Sequence, residues 1–211
     1  IFAREETAAE FLQNYLPVEV AGLLDWDSLE STRDSFVDKE LQEYFSDLLF
    51  RADLKDGSPG CVYILFEHKS YQERLTAFHL LRYMVKIWER SLEMKEELGF
   101  PVIIPLVLYH GKRGWRYGSN FRALFHYPME MGSFIPDFQY VLWDASRYSD
   151  EEIKGHVVLR VALLLLKYIF REDLRDRAPE IIGLLRELSG KRSGLEYIET
   201  VLRYLISAAP E

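Results

Sequence analysis

The chain has 211 residues, of which 48% are hydrophobic, and its 26 Lys and Arg against 34 Asp and Glu give a formal net charge of -8. This is enough apolar material for one sizeable core, or for a core with a helical annex, and it excludes a disordered, collagen-like or disulfide-stapled chain. The single cysteine, Cys61, cannot form an internal disulfide, so we expect a reducing compartment, with the cytoplasm as the default.

The charge is distributed unevenly along the chain. Residues 51–125 contain 12 basic and 8 acidic side chains, a net charge of +4, whereas the parts before and after them are acidic. A local basic field acts on a polyanion within a Debye length of about 8–10 Å, so it matters more than the total charge. Nucleic acid is therefore not excluded as a partner, although charge alone equally fits the solvated face of one helix.

The first part of the chain predicts helices followed by a hairpin. Apolar residues at helical spacing predict a helix over 7–16 that Pro17 ends, with a further helical piece over 18–24. The pattern is extended over 43–54, and a dense turn signal separates it from the apolar run 61–66. Two strands joined by a turn are therefore predicted.

The middle of the chain predicts a helix between two strands. After Gln72 the spacing is helical. It places seven apolar residues on one broad side: Leu75, Phe78, Leu81, Tyr83, Val85, Trp88 and Leu92. Gly99 ends the helix, and the run 101–109 is apolar on both faces, as a buried strand is. The order strand, helix, strand implies a crossover connection and at least one parallel pair in a mixed sheet.

The last part of the chain predicts one more strand and then helices. Residues 138–143 form a short extended pattern, and residues 149–152 and 193–196 both read Ser-x-x-Glu, which matches the capping box at a helix start. Pro179 indicates that another helix begins close to it. The apolar stretch 157–170 is shorter than the roughly 20 residues that span a bilayer, so it predicts a core helix.

These elements indicate an α/β core followed by a helical layer. We expect the core to occupy residues 1–148 and a C-terminal helical extension, packed on the core, to occupy residues 149–211.

Three polar residues interrupt the apolar pattern of the predicted hairpin. Asp47 places a carboxylate on a largely apolar face of the first strand. On the second strand, the period of two puts Glu67 and Lys69 on one face and His68 on the other. A hairpin can set Asp47 beside Glu67, and two carboxylates with a backbone carbonyl form an oxygen cage suited to Mg²⁺.

With Lys69 pointing into such a cage, the arrangement suits phosphodiester hydrolysis. A divalent ion lowers the pKa of a bound water, and an ammonium group orients that water or stabilises negative charge in the transition state. Taken alone, Glu-x-Lys at a strand end fits a solvated ion pair at the rim of the sheet equally well. The combination of an acid on one strand with an acid and a lysine on the next favours the metal site.

Five blocks of sequence resemble a known family. They cover residues 11–17, 44–49, 67–70, 81–84 and 105–111. These blocks are similar to the recombination-promoting nuclease, or YhgA-like putative transposase, family of bacteria, within the PD-(D/E)xK nuclease superfamily. The resemblance implies an α/β fold with a restriction-endonuclease-like mixed sheet flanked by helices. It also implies a DNA endonuclease that depends on Mg²⁺ or Mn²⁺, with Asp47, Glu67 and Lys69 as its catalytic set.

The resemblance extends to the metal ligands and to the start of the chain. Asp47, Glu67 and the backbone carbonyl of His68 are the implied ligands. Glu10 on the first helix would supply an extra acid, as first-helix carboxylates do in some relatives, and a surface role for Glu10 stays open. In the family, a segment containing an Asp usually precedes the first helix, so we expect such a segment upstream of Ile1.

Basic residues in two places are candidates for DNA binding. Lys112, Arg113 and Arg116 lie in a Gly-flanked loop and would grip a phosphate backbone while Trp115 stacks on a base. The same loop equally fits an ordinary exposed turn with a packed Trp. Arg82, on the helix after the motif, would orient substrate.

The leading hypothesis is a Mg²⁺-dependent DNA endonuclease of low sequence specificity, because backbone contacts position DNA without reading its sequence. A link to recombination or mobile elements comes from the resemblance. No membrane is expected as a partner, and a homodimer is expected where both strands are cut. Two alternatives stay open: a catalytically weak module with the nuclease fold that binds DNA or a protein, and a nuclease directed at RNA or at structured substrates.

Overall fold

The computed structural model describes residues 2–32, 48–58, 61–93 and 99–185. The helices are α1 (Glu5–Tyr15), α2 (Val18–Ala21), α3 (Thr76–Glu93), α4 (Val157–Tyr168) and α5 (Leu174–Leu185). The strands are β1 (Leu24–Ser31), β2 (Leu48–Leu54), β3 (Cys61–Lys69), β4 (Val102–Tyr109) and β5 (Val141–Asp144). Short 3-10 helices span Phe121–Leu124, Met129–Phe134 and Ala145–Arg147.

The five strands form one mixed sheet in the order β1-β2-β3-β4-β5. β1 pairs antiparallel with β2, and β2 with β3, whereas β3 and β4 are parallel and joined by α3. The predicted hairpin and the predicted strand, helix, strand crossover are thus confirmed, as is the mixed α/β fold. Leu48 lies opposite Phe66 across the hairpin, and Lys69 lies opposite Tyr109 across the parallel pair.

Strand β1 was not predicted, and it replaces the end of the helical piece expected over residues 18–24. Only Val18–Ala21 is helical. The pairing of β1 with β2 shifts register between Asp25 and Glu30. Within that shift, the Asp25 carboxylate accepts a hydrogen bond from the Asp27 N–H at 3.2 Å. A bulge of this kind interrupts the period of two by which a strand is recognised in a sequence.

The chain divides into two compact units. The first, here called the sheet unit, comprises Leu16–Tyr109 and Trp115–Trp143. The second, the helical unit, comprises Ile1–Tyr15, His110–Gly114 and Asp144–Glu211. The predicted boundary between residues 148 and 149 stays a prediction.

Helix α3 packs in the sheet unit, through a face that differs from the predicted one. Its buried residues follow the spacing of three and four: Thr76, Ala77, Leu80, Tyr83, Met84, Ile87 and Ser91. Four of the seven predicted residues are instead exposed: Leu75, Phe78, Val85 and Leu92. Tyr83 is buried, and Leu81 and Trp88 pack partly buried against the core. The predicted set was wrong because seven residues spaced by two, three and four spread around the helix beyond one stripe.

Helix α4 forms the apolar centre of the helical unit, as the stretch 157–170 predicted. It is buried along nearly its whole length and packs against α1 and α5. Within the described residues, no helix combines the length and the apolar character needed to cross a membrane.

Two expected helix starts are corrected. The capping box over 149–152 is present, since the Ser149 N–H donates to Glu152 Oε2 at 2.8 Å and the Glu152 N–H donates to Ser149 Oγ at 3.3 Å. It closes only a turn, because Gly155 at φ +119° breaks the helical path before α4 begins. Pro179 lies inside α5 and not near its start, so α5 lacks one backbone donor. The motif over 193–196 lies outside the described residues.

The remaining predicted strands are found with shifted ends. The strand expected over 138–143 is observed as β5, preceded by an isolated bridge between Asn120 and Gln139. Of the strand expected over 43–54, the part from Leu48 onward is described as β2.

Candidate active site

The candidate site lies in the sheet unit, at the carboxyl end of β3. Because side chains alternate along a strand, Glu67 and Lys69 lie on one face, and the Lys69 Nζ is 3.0 Å from Glu67 Oε1. Both side chains are buried, with 5% and 2% of their surface exposed, while the His68 side chain is exposed. The predicted alternation is therefore confirmed. Carboxyl ends of strands in open α/β sheets are where ligands usually bind.

The environment of Glu67 disfavours its negative charge. Burial raises the pKa of Glu67 to about 7, and the ammonium of Lys69 offsets only part of that effect. Burial and then the Glu67 carboxylate also raise the pKa of Tyr83 above its usual range. Within the described residues, Glu67 Oε2 is buried and has no hydrogen-bond partner. A buried carboxylate oxygen in this state can accept a cation.

Lys69 lies between two carboxylates. Its Nζ is 2.5 Å from Glu73 Oε2 in addition to the contact with Glu67, and it lies 5.3 Å from the centre of the Tyr71 ring. Burial lowers the pKa of Lys69, but the two carboxylates outweigh burial and raise it above its ordinary value. Lys69 is therefore an ammonium at neutral pH. The other oxygen of Glu73, Oε1, is 3.0 Å from His79 Nδ1.

These residues fit a divalent cation in part. Glu67 Oε2, which has no hydrogen-bond partner within the described residues, is a hard oxygen donor of the kind that Mg²⁺ and Mn²⁺ prefer. Among the described residues, no three His, Cys, Asp or Glu side chains are grouped closely enough to hold a metal ion. Asp47, the second expected carboxylate, lies outside the described residues, next in sequence to Leu48.

Hydrogen bonds connect Gln72, in the turn after β3, to Tyr109 at the end of β4 and to the segment that follows it. Gln72 Nε2 donates to the Tyr109 hydroxyl at 3.0 Å, and the Arg116 N–H donates to Gln72 Oε1 at 3.1 Å. Trp115 is only 5% exposed, and its Nε1 donates to the Tyr140 hydroxyl at 3.1 Å. The expectation that Trp115 stacks on a base is therefore wrong, because its indole is enclosed by the core of the sheet unit. The packed Trp of the alternative is confirmed, and phosphate binding by the basic residues of the loop stays a prediction.

The structure places the four candidate DNA-binding residues in different units. Arg82 on α3 and Arg116 are exposed, and both belong to the sheet unit. Lys112 and Arg113 are exposed and belong to the helical unit.

Glu10, the candidate extra acid, lies on α1 in the helical unit. Its Oε1 is 2.6 Å from His156 Nδ1 and also accepts a hydrogen bond from the backbone N–H of His156. This pair fixes the turn before α4 to α1.

Sequence reasoning missed Glu73 and the contact that His79 makes with it. The spacing of four between Lys69 and Glu73 was a visible signal, but it is that of a helical ion pair. Because Lys69 was expected on a strand, this spacing gave no reason to group it with Glu73 in the turn that follows. His79 is three residues inside α3, and only the fold brings it to Glu73.

Comparison with known proteins finds a matching family model and several relatives with similar names. The family model described as putative transposase, YhgA-like, matches residues 1–196. Recombination-promoting nuclease RpnD of Escherichia coli O157:H7 is 29% identical over 181 residues, which are 85% of this chain and 69% of that protein. Recombination-promoting nuclease RpnC of Escherichia coli strain K12 is 28% identical over 194 residues, 92% of this chain and 63% of that protein.

A third relative carries a different name. Inactive recombination-promoting nuclease-like protein RpnE of Escherichia coli strain K12 is 31% identical over 188 residues, 87% of this chain and 58% of that protein. The chain thus spans about two thirds of the length of these relatives. No solved structure matches it. Because the family model covers nearly the whole sequence, the chain belongs to the YhgA-like putative transposase family.

Proposed function

We propose that this chain is a metal-dependent DNA endonuclease of low sequence specificity that acts in recombination or on mobile elements. The observation that carries the proposal is the buried pair of Glu67 and Lys69 at the end of β3, in which Glu67 Oε2 has no hydrogen-bond partner within the described residues. Relatives named recombination-promoting nucleases support the assignment. For the compartment, we propose the cytoplasm, on the grounds of the single cysteine.

Glu67, Asp47 and the carbonyl oxygen of His68 would hold the metal ion, Mg²⁺ or Mn²⁺. The register of the hairpin supports this set. Leu48 lies opposite Phe66, Asp47 directly precedes Leu48 in sequence, and Glu67 directly follows Phe66. Glu10 is retained as a candidate extra acid, although its carboxylate is engaged by His156 in the helical unit.

When bound, the ion would polarise the phosphodiester and lower the pKa of an attacking water. Lys69, held as an ammonium by two carboxylates, would donate a hydrogen bond to the oxygen on which negative charge develops. Asp47, Glu67 and Lys69 are then the catalytic residues. Burial of the pair keeps bulk water away and strengthens these charge interactions.

The exposed guanidinium and ammonium groups of Arg116, Arg113 and Lys112, with Arg82, would bind the phosphate backbone. Contacts of this kind position DNA without reading its bases, which is the basis for proposing low specificity. A homodimer is part of the proposal for duplex substrates, because cutting both strands needs two such sites.

The test is a nicking assay on supercoiled plasmid with Mg²⁺ or Mn²⁺, with EDTA as a control. We expect nicking by the wild-type chain, and its loss with EDTA and in Asp47→Ala, Glu67→Gln and Lys69→Ala. Glu89→Gln is the matched control, because Glu89 forms an exposed ion pair with Lys86 on α3. Parallel assays on single-stranded DNA, duplex DNA and RNA identify the substrate, and light scattering measures the oligomeric state.

The second candidate is a module with the same fold that binds DNA or a protein without cleaving. One specific observation favours it: a relative that is 31% identical is named inactive. Retained DNA binding in a gel-shift assay, together with no nicking under any metal condition, would select this candidate. Nicking that depends on Glu67 and Lys69 would exclude it.

A further inference from the structure

We propose that Glu73 is a positioning residue that fixes the ammonium of Lys69 in the site. The inference rests on the proposed nuclease function for its effect on cleavage. It names a residue outside the expected Asp, Glu and Lys set.

The geometry around Lys69 makes Glu73 its closest partner. The Nζ of Lys69 lies 2.5 Å from Glu73 Oε2 and 3.0 Å from Glu67 Oε1. Lys69 is 2% exposed and Glu73 is 23% exposed, so most of this contact is shielded from water. A charged hydrogen bond of this length in a buried setting is strong and directional.

The backbone of Glu73 is fixed at the start of α3, and His79 lies beside its carboxylate. Its backbone carbonyl accepts a hydrogen bond from Thr76 Oγ1 at 2.9 Å, at the first residue of α3. Its carboxylate oxygen Oε1 lies 3.0 Å from His79 Nδ1, one turn further along the helix. The start of α3 therefore places the Glu73 carboxylate beside the Lys69 ammonium.

The Glu73 carboxylate can keep the Lys69 ammonium in one position, which Glu67 alone cannot do once it binds a metal ion. Lys69 ends in a compact point charge on a flexible four-carbon stem, so it needs a fixed partner to keep one position. In the proposed site, the Glu67 carboxylate would also bind the metal ion, and the metal ion would compete with Lys69 for that carboxylate. Glu73 binds Lys69 independently of Glu67, so Lys69 keeps its place when Glu67 engages a metal ion.

The test compares Glu73→Ala and Glu73→Gln with Glu89→Gln as the control on α3. We expect Glu73→Ala to lower the kcat of plasmid nicking about 10- to 100-fold, the range seen when a supporting hydrogen bond to a site residue is removed. The KM for DNA is expected to stay within about twofold, because a carboxylate does not bind the negatively charged phosphate backbone. Glu73→Gln should give a smaller loss, and Glu89→Gln should give none.

A purely structural role is separated by a second readout, the NMR signal of the Lys69 ammonium protons. In the wild-type chain they should exchange slowly with water, because two carboxylates hold a buried amine, and in Glu73→Ala this signal should be lost. Trp115→Phe serves as a destabilised control, which should lower the urea midpoint and leave the Lys69 signal in place.

Unchanged kcat in Glu73→Ala would overturn the proposal, as would a Lys69 signal that persists in that variant. If the wild-type chain cleaves nothing, the proposed function fails and the NMR signal alone decides the role of Glu73. Its loss in Glu73→Ala would then still support positioning, and its retention would refute it.

Discussion

Replacing Glu67 by Gln should stabilise the metal-free protein at alkaline pH. Burial raises the pKa of Glu67 from 4.5 to about 7, even with Lys69 beside it. The folded state therefore binds this proton more tightly than the unfolded state does. The stability that the bound proton contributes is fully present below pH 4.5 and is lost as the pH rises to about 7. Above that pH, Glu67 is ionised and weakens the fold. A glutamine side chain at this position would stay neutral at every pH.

The magnitude follows from the two pKa values. Each pH unit between 4.5 and about 7 corresponds to about 1.4 kcal/mol. Because only 5% of the Glu67 side chain is exposed, no reduction for solvent screening applies. At pH 8 the Glu67→Gln variant should be about 3 kcal/mol more stable than the wild type, and at pH 5 the difference should fall to about 1 kcal/mol.

Urea unfolding in EDTA at pH 5 and pH 8 measures this difference. Glu89→Gln makes the same chemical change in an exposed ion pair, and its effect should stay within about 0.5 kcal/mol of zero at both pH values. The reasoning would be refuted if Glu67→Gln were less stable than wild type at pH 8, or if its effect did not depend on pH. A variant that gains stability while losing nicking would mark Glu67 as a functional residue and not a structural one.

Three further residues give predictions, and for Asp150 the dependence of stability on pH has the opposite sign to that of Glu67. Asp150 holds the buried ammonium of Lys167; burial raises the pKa of Asp150, but hydrogen bonds outweigh it and the pKa lies below its ordinary value. Its stabilisation is therefore present above pH 3.8 and lost in stronger acid. Asp150→Asn should cost about 3 kcal/mol at pH 7 and much less at pH 3, by urea unfolding. Trp115→Phe removes the bond to Tyr140 and should cost about 1–2 kcal/mol without weakening DNA binding in gel shifts. Arg116→Ala should weaken DNA binding and reduce its salt dependence by about one ion, with unchanged stability.

Local signals predicted the parts of the fold that depend on turns and on unbroken periods. The turn before Cys61 and the apolar runs of β3 and β4 fixed the hairpin and the crossover, because a parallel neighbour needs a helical connection. The same alternation placed Glu67 and Lys69 together. These features require only the nearest residues in sequence.

Features that depend on distant contacts were missed or misassigned. The face that α3 buries is chosen by the sheet beneath it, and Phe78 and Val85 are as apolar as the residues that are buried. The capping box before α4 forms its hydrogen bonds but no helix, because Gly155 follows too soon. The contact of His79 with Glu73 depends on where α3 begins, which the spacing of apolar residues does not reveal.

The most direct test of the proposed site is a crystal of the wild-type chain soaked in MnCl₂, measured for the anomalous scattering of manganese. The proposed site predicts a manganese peak within about 2.5 Å of Glu67 Oε2, and no peak there in a Glu67→Gln crystal. A wild-type crystal with no manganese at Glu67 would contradict the metal-dependent site, whatever activity the protein shows.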